Sequence, residues 1–341
     1  LHTLRQLQAD VIGLTARDAV LAVVPMFHAN AWGLPFASVL VGAKLMMPGP
    51  NLDAASLLED LEQEEVTLTA GVPTVFLAVL QALDAEPERY DLSKLRSMVI
   101  GGSAAPKGVI KDYKERHGIK VLHAWGMTEM SPIGTVANLT TEMKKLPEGE
   151  QLEYEAKQGY PVPFVEIRAR GDEGFVPWDG ESMGELEVRG PWVASSYYEA
   201  PEGDDKFTDD GWFKTGDVVT IDRFGFIKIT DRSKDLIKSG GEWISSVELE
   251  NALMAHPAVS QACVIAIPHE KWDERPLAAI VLREGESATE DELHSHLEVD
   301  FARFWLPDAY EFVEAIPMTA TGKFQKLKLR EQFEGYTSPK S

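Results

Sequence analysis

Hydrophobic and polar positions along the first part of the chain switch repeatedly between a strand period and a helix period. Val20-Leu21-Ala22-Val23-Val24 is a continuous apolar run, the pattern of a strand buried on both faces. Leu57, Leu58 and Leu61 are spaced for one helix face, and Asp53 stands where an N-cap belongs. Val66 to Ala70 is β-branched and predicts a strand. Pro73 suits a first helical turn, and Val75 to Leu83 continue that helix. Ser97-Met98-Val99-Ile100 predicts a strand that ends at Gly101-Gly102. A helix from about Pro106 to His117 follows, then a strand from Lys120 to His123. Strand and helix in alternation predict parallel βαβ units. In open sheets of that kind, ligands sit beyond the carboxyl ends of the strands.

The pattern changes from about residue 140. Gly159-Tyr160-Pro161-Val162-Pro163 breaks the chain, and short alternating runs follow at Val165 to Arg168 and Glu185 to Arg189. Turn residues separate them, which predicts an antiparallel β region. Asp231-Arg232-Ser233-Lys234-Asp235 is a charged break, and a different unit starts there. Ser245 to Glu248 and Thr289 to Glu292 both fit capping boxes at helix starts. Strands are predicted over Ser260 to Ile267, Leu277 to Leu282 and Tyr310 to Ile316, with a basic helix closing the unit. The fold class is therefore α/β. A large domain over 1–231 combines parallel βαβ units with an antiparallel β region, and a small α+β domain covers 232–341.

Charge narrows the function classes. Among the 341 residues, 33 are Lys or Arg and 55 are Asp or Glu, a formal charge of −22. Nucleic-acid binding needs a basic footprint, so this balance argues against it, and equally against an anionic membrane surface. A polyanionic ligand would need a local basic cluster. The single cysteine, Cys263, excludes a disulfide framework and a thiolate metal cluster. There is no apolar run of about 18 residues, so no membrane span is expected. His294 and His296 are two apart on a predicted helix and face different ways, a poor metal pair.

Several segments could carry chemistry, each with a plain alternative. Gly101-Gly102-Ser103-Ala104 follows a strand and lets a backbone approach a ligand closely, or it is a simple strand–helix turn. It has neither Walker nor dinucleotide spacing. Trp125-Gly126-Met127-Thr128-Glu129 offers an aromatic face for a base, a hydroxyl for a phosphate and a carboxylate for Mg²⁺, or it is a loop with a solvated Glu. Asp217 in Trp212-Phe213-Lys214-Thr215-Gly216-Asp217 could accept from ribose hydroxyls, or it is a turn Asp. Arg232 and Lys234 could bind sugar or phosphate, or form a solvated linker. Lys238-Ser239-Gly240-Gly241-Glu242-Trp243 is a second glycine loop. Lys323 sits on a Thr/Gly loop before Lys326, Lys328 and Arg330, which read singly as a solvated basic helix face.

Taken together and in order, these segments resemble the adenylate-forming (AMP-binding) ligase superfamily. The series runs from Pro25-Met26-Phe27-His28 through Gly101-Gly102-Ser103-Ala104, Trp125-Gly126-Met127-Thr128-Glu129, Gly184-Glu185, Gly211 to Asp217 and Asp231 to Glu242 to Thr321-Gly322-Lys323. His28-Ala29-Asn30-Ala31-Trp32 and Lys238 to Ser246 are most similar to bacterial medium- and long-chain fatty acyl-CoA synthetases. The resemblance covers essentially the whole chain.

It implies a two-step reaction with ATP, Mg²⁺ and coenzyme A. A carboxylate attacks the α-phosphate to give acyl-adenylate and pyrophosphate; the coenzyme A thiol then gives the thioester and AMP. By motif, Trp125 would flank the adenine, Thr128 would contact phosphate and Glu129 would hold Mg²⁺. Asp217 and Arg232 would bind the ribose. Gly102, Ser103, Ala104, Gly126, Met127, Lys238 and Trp243 would complete the nucleotide site. His28, Trp32 and Gly101 would line the acyl entrance, with Trp32 as gate. Lys323 would bridge carboxylate and phosphate oxygens in the first step. Lys234 would lie at the hinge, near 232–235, of a mobile small domain, and Gly240 and Gly241 would lie on the coenzyme A tunnel. The resemblance further implies a cytoplasmic enzyme and leaves a homodimer open.

Two departures stand out. The family's Ser/Thr/Gly-rich phosphate loop, ending in Pro-Lys, has no counterpart here and is expected upstream of Leu1. The chain therefore reads as a fragment with an incomplete large domain. Trp125 replaces the more usual Tyr, which keeps stacking and loses a hydroxyl. Three other readings stay open: an aryl-CoA ligase of the coumarate type, a luciferase-like enzyme, and a non-catalytic acyl or AMP binder.

Overall fold

The computed structural model describes residues 1–171, 173–199, 201–319 and 324–336. The chain forms two compact units, Leu1–Thr215 with Val219–Ile229, and Gly216–Val218 with Thr230–Ser341.

The first unit is built on a seven-stranded sheet. Its strands are β1 (Ala19–Ala22), β2 (Lys44–Met46), β3 (Leu68–Gly71), β4 (Ser97–Ile100), β5 (Lys120–Gly126), β6 (Ile133–Val136) and β7 (Tyr160–Pro161), in the order β2-β1-β3-β4-β5-β6-β7. The first five strands in that order are parallel. β6 and β7 add antiparallel pairs. The continuous apolar run at β1 now has its cause. Val20 and Ala22 point into one core and Leu21 into another, so successive side chains are all buried. The second of those cores is filled by Leu57, Leu58 and Leu61 of the helix Ala54–Gln63, by Phe76, Val79, Leu80 and Leu83 of Pro73–Ala85, and by Val109, Ile110 and Tyr113 of Lys107–His117. Each fully buried Leu or Phe stabilises by about 1.5–3 kcal/mol. Asp53 caps the first of these helices by accepting from the Ser56 N–H at 3.0 Å. The Tyr113 hydroxyl donates to the Phe76 carbonyl at 2.6 Å, tying two helices together.

A second, five-stranded sheet follows: β8 (Glu166–Gly171), β9 (Gly174–Phe175), β10 (Gly184–Arg189), β11 (Phe213–Ile221) and β12 (Ile227–Arg232), ordered β12-β11-β10-β8-β9. β8 pairs antiparallel with β10 and with β9, as the alternating runs predict.

The third sheet belongs to the second unit: β13 (Ile237–Ser239), β14 (Glu242–Ile244), β15 (Val259–His269), β16 (Asp273–Leu282) and β17 (Ala309–Phe312). The helices Ser246–Met254 and Glu290–Glu298 cover one face, and Leu329 of Lys326–Gln332 packs into the other. Thr289 makes a complete capping box with Glu292, and Ser245 accepts from the Glu248 N–H at 3.1 Å.

Four expectations are corrected. β5 does not stop at His123 but runs to Gly126, because β6 pairs with Ala124 to Gly126. The Lys238–Trp243 segment is not a loop but a hairpin, with Lys238 opposite Trp243 and a turn at Gly240-Gly241. Both turn glycines have positive φ, 60° and 90°, as a two-residue hairpin turn requires. β17 ends at Phe312 rather than Ile316, since its partner β16 ends at Leu282 shortly after the last pair, Ile280 with Phe312. The closing helix is not simply a solvated basic face: Lys326 is buried against Glu250 at 2.7 Å, and Arg330 pairs with Asp235 at 2.6 Å. Among the described residues no helix is long and apolar enough to cross a membrane.

Candidate active site

The first unit holds three of the predicted segments. Gly101-Gly102-Ser103-Ala104 leaves the carboxyl end of β4, with Gly101 buried and Gly102 and Ser103 exposed. The Gly101 N–H donates to the Gly71 carbonyl at 3.2 Å. A Cβ on Gly101 would lie 2.8 Å from the Ala124 carbonyl oxygen and 3.3 Å from the Trp32 ring. Only glycine lets β5 and the indole close in at that point.

Trp32 ends an unusual turn. Ala29, Asn30, Ala31 and Trp32 all have left-handed φ, between 45° and 55°, and Gly33 follows at 78°. Each non-glycine residue held there costs about 1–2 kcal/mol. Local bonds and packing hold the turn: the Gln6 side-chain amide donates to the Trp32 carbonyl at 2.6 Å, and Ala31 is fully buried. Strain of this kind concentrates where a side chain must be aimed. Here the aimed side chain is Trp32, laid against Gly101.

His123, a plain strand residue by its pattern alone, clamps the end of the glycine loop. Its Nε2 accepts from the Ala105 N–H at 3.3 Å and its Nδ1 donates to the Ala156 carbonyl at 2.9 Å. That pairing requires the neutral ring. Burial lowers its pKa, in agreement. The available signal was an imidazole between Leu122 and Ala124, inside the strand.

Trp125 lies in β5 and is buried, packed over Gly134, where a Cβ would come within 2.6 Å of the ring. Gly126 is equally constrained, since a Cβ would fall 2.1 Å from the Pro132 carbonyl oxygen. Met127, partly buried, leads into a short 3₁₀ turn, Thr128–Met130, that leaves Thr128 exposed. Glu129 is fixed twice: its carbonyl accepts from the Ala194 N–H at 2.8 Å, and its carboxylate accepts from the Tyr197 hydroxyl at 2.7 Å. Partial burial and that carboxylate push the Tyr197 pKa up to about 12. Tyr197 is 68 positions from Glu129, so no local pattern could have paired them. His28 precedes the left-handed turn and is partly buried.

The second unit holds the rest. Asp217 on β11 is buried, and Arg232 on β12 reaches it at 2.7 Å. Beyond Arg232 the chain turns tightly. The Asp235 and Leu236 N–H groups both donate to the Arg232 carbonyl at 2.8 Å, and the Ser233 N–H donates to the Gly216 carbonyl at 2.8 Å. Lys234 is exposed within this turn, and Arg330 braces its carbonyl at 3.3 Å. Lys238 and Trp243 face each other across the β13–β14 hairpin, where a Cβ on Gly240 would fall 2.8 Å from the Trp272 ring and one on Gly241 would meet open space.

A buried polar chain runs beneath the turn. Asp231 accepts from the Ser246 N–H at 2.6 Å and hydroxyl at 2.5 Å, the Ser246 oxygen accepts from Lys326 Nζ at 2.5 Å, and Lys326 pairs with Glu250. Burial works against the Lys326 charge, but Glu250 and Asp231 outweigh it and raise its pKa. Lys323 lies outside the described residues.

The family model of the AMP-binding enzyme matches residues 1–198, and that of the AMP-binding enzyme C-terminal domain matches residues 248–323. The chain belongs to the AMP-binding enzyme family. It is 50% identical over 339 residues to a long-chain-fatty-acid–CoA ligase of Thermus thermophilus, covering 98% of this chain and 62% of the relative. It is 46% identical over 334 residues to a 3-methylmercaptopropionyl-CoA ligase of Ruegeria pomeroyi, covering 98% and 61%. The structure superposes on ATP-bound MatB from Rhodopseudomonas palustris with a TM-score of 0.84 at 26% identity, covering 98% of this chain and 63% of that one. This AMP-binding chain thus spans about three fifths of the length of these relatives.

Proposed function

We propose that this AMP-binding chain carries nucleotide- and acyl-handling residues of an ATP-dependent ligase that joins a fatty acid to coenzyme A. The 50% identity to a long-chain-fatty-acid–CoA ligase is the observation that supports this most. The Trp32 ring laid against Gly101 supports the acyl entrance, because it puts a large apolar plate beside a loop that only glycine can form there.

The reaction divides into two steps. In the first, the substrate carboxylate attacks the α-phosphate of ATP, and acyl-adenylate and pyrophosphate form. Gly102, Ser103 and Ala104 present backbone to the nucleotide, and His123 keeps that backbone in place. Trp125 contributes an edge rather than an open platform, since it is buried. Met127 and Gly126 shape the wall that leads to Thr128, whose exposed hydroxyl donates to a phosphate oxygen. Asp217 accepts from the ribose, and Arg232 orients Asp217 and donates to the ribose itself. Lys238 and Trp243 complete the nucleotide contacts. Lys323 holds the two anions together against their repulsion.

A hard cation fits Glu129. Mg²⁺ takes one or two carboxylates and fills its shell with phosphate oxygens and water, and Glu129 is a partly exposed carboxylate held by Tyr197. Bound there, it would neutralise charge on the phosphates.

In the second step the coenzyme A thiol attacks the adenylate carbonyl, the thioester forms and AMP leaves. Gly240 and Gly241 line the approach of its pantetheine arm. We read 232–235, with Lys234, as the hinge between domains 1–231 and 232–341, and the enzyme as cytoplasmic. The similarity to a 3-methylmercaptopropionyl-CoA ligase favours a second reading, a short thioether acid as substrate.

Thioester formation by the whole protein with Mg·ATP and coenzyme A tests this across butyrate, octanoate, palmitate, 3-methylmercaptopropionate and 4-coumarate. Straight-chain acids should be the best substrates. Preference for the thioether acid would establish the second reading. Turnover of 4-coumarate alone would overturn both.

A further inference from the structure

A cavity of about 490 Å³ opens on the first unit at the amino ends of the parallel strands. Its lining includes Asp18 just before β1, Thr67 just before β3, Ser97 at the start of β4 and Lys120 at the start of β5. The glycine loop and Trp125–Glu129 stand at the opposite, carboxyl ends of β4 and β5. A four-residue strand at about 3.3 Å per residue puts roughly 13 Å between the two edges. The cavity is therefore not part of the candidate active site.

Its charge runs against the rest of the molecule. Arg17, Lys94, Arg96 and Lys120 line it with one carboxylate, Asp18, giving 4 − 1 = +3 on a chain of formal charge −22. Asp18 is fully engaged as the floor. It accepts from the Thr15 N–H at 2.7 Å, the Thr67 hydroxyl at 2.7 Å and Arg96 Nε at 2.8 Å. Arg96 spends its remaining donors on the Ile12 carbonyl at 3.2 Å, the Ser97 hydroxyl at 3.3 Å and the Gly13 carbonyl at 3.1 Å. Three cations remain. Among the described residues, Arg17, Lys94 and Lys120 have no carboxylate within ion-pair distance.

Lys120 is the most telling of them. Its ammonium donates to the neutral Asn138 side-chain oxygen at 2.6 Å, and Asn138 is itself fixed by the Asp10 and Val11 carbonyls at 2.9 and 3.0 Å. Partial burial, Lys144 and Arg96 lower its pKa, with Glu155 acting the other way. Glu155 is already paired with Lys114 at 2.8 Å. Gathering unneutralised cations around a concavity costs repulsion that folding does not recover. A multiply charged anion would recover it. Lysine ammonium groups suit phosphoryl oxygens as point charges, and an arginine adds a planar fork.

We propose that this cavity is a second anion site, separate from the candidate active site, that binds a small soluble molecule through its phosphoryl group. A regulatory metabolite carrying a diphosphate matches the charge left open by Arg17, Lys94 and Lys120.

Calorimetric titration of the protein with inorganic pyrophosphate, without Mg²⁺, tests this. Wild type should bind, and Lys94→Met and Lys120→Met should each weaken that binding tenfold or more with unchanged melting temperature. Lys94→Arg should retain it. Thr128→Ala and Arg232→Ala, at the candidate active site, should leave a pyrophosphate event that Lys94→Met abolishes. Because Lys94 is exposed, its substitution should not disturb folding. No binding by wild type, or equal binding by wild type and both methionine variants, would overturn the proposal.

Discussion

The guanidinium of Arg232 lies 2.7 Å from the buried carboxylate of Asp217, across the adjacent strands β12 and β11. The pair joins a fixed acceptor to a donor that is half exposed. Arg232→Ala should lower the melting temperature modestly, because it takes the cation from the buried Asp217 carboxylate. Its effect on nucleotide should be larger. Losing hydrogen bonds of a charged group to the ribose costs about 1.5–3 kcal/mol, so AMP affinity should fall roughly 10–100-fold. Calorimetric titration with AMP, beside a melting curve, checks this; an unchanged AMP affinity would remove Arg232 from the ribose.

Trp32 and Gly101 should act as one device. Trp32→Ala should shift chain-length preference toward longer acids more than it lowers the melting temperature. Gly101→Ala brings a methyl within 2.8 Å of the Ala124 carbonyl oxygen and 3.3 Å of the Trp32 ring. It should shift the same preference and also destabilise by about 1–3 kcal/mol, as overpacking does. The check is the ratio of kcat/KM for octanoate and palmitate in each variant. A large stability loss in Trp32→Ala with unchanged preference would make Trp32 a core residue instead.

The parts of this fold that were legible share one property: their cause is local. The helix capped by Asp53, the strand Ser97–Ile100 and the capping box of Thr289 with Glu292 are each written within a few consecutive residues. The illegible parts have distant causes. β5 passes through Gly126, which reads as a break, because β6 returns to pair with it. The strands of the Lys238–Trp243 hairpin have three residues each, too few for an alternating pattern to register. Nothing in Ala29-Asn30-Ala31-Trp32 announces four left-handed residues, since the Gln6 amide that holds them is 26 positions away. The candidate site divides the same way. Motif order singled out Glu129, Asp217 and Arg232, whereas Tyr197, which bonds Glu129, and His123, which bonds the Ala105 N–H, came only from the fold.

His123 should make the stability of the first unit depend on pH. Burial lowers its pKa in the folded chain. The unfolded chain therefore binds the proton first, so this contribution is complete above the ordinary histidine value of about 6.5 and is lost as pH falls below it. Urea unfolding at pH 7.5 and pH 5.5 should give a lower stability at the acid end, and His123→Gln should flatten that difference. At neutral pH the variant should lose about 1–3 kcal/mol by disturbing the bonds to Ala105 and Ala156. Equal pH slopes for wild type and variant would place the acid sensitivity elsewhere.

Arg5 offers the opposite test. It is 3% exposed, its three guanidinium nitrogens have no hydrogen-bond partner among the described residues, and it stacks 3.6 Å over the Trp192 ring. Burial pushes its pKa down to about 10. Desolvating an ion costs several kcal/mol, which an unpartnered guanidinium does not recover through hydrogen bonds. Arg5→Met should raise the melting temperature, read by calorimetry. A lower melting temperature would show that the cation on Trp192 outweighs its desolvation.

The central claim is that one chemistry runs in two steps and that Lys323 serves the first. Single-turnover measurement of both half-reactions in wild type and Lys323→Ala tests it most directly. Acyl-adenylate formation from fatty acid and Mg·ATP should fall by about 10²–10³, as for loss of one oriented stabilising group. Thioester formation from supplied acyl-adenylate and coenzyme A should stay near the wild-type rate. Equal loss in both half-reactions, or no loss in the first, would contradict the account.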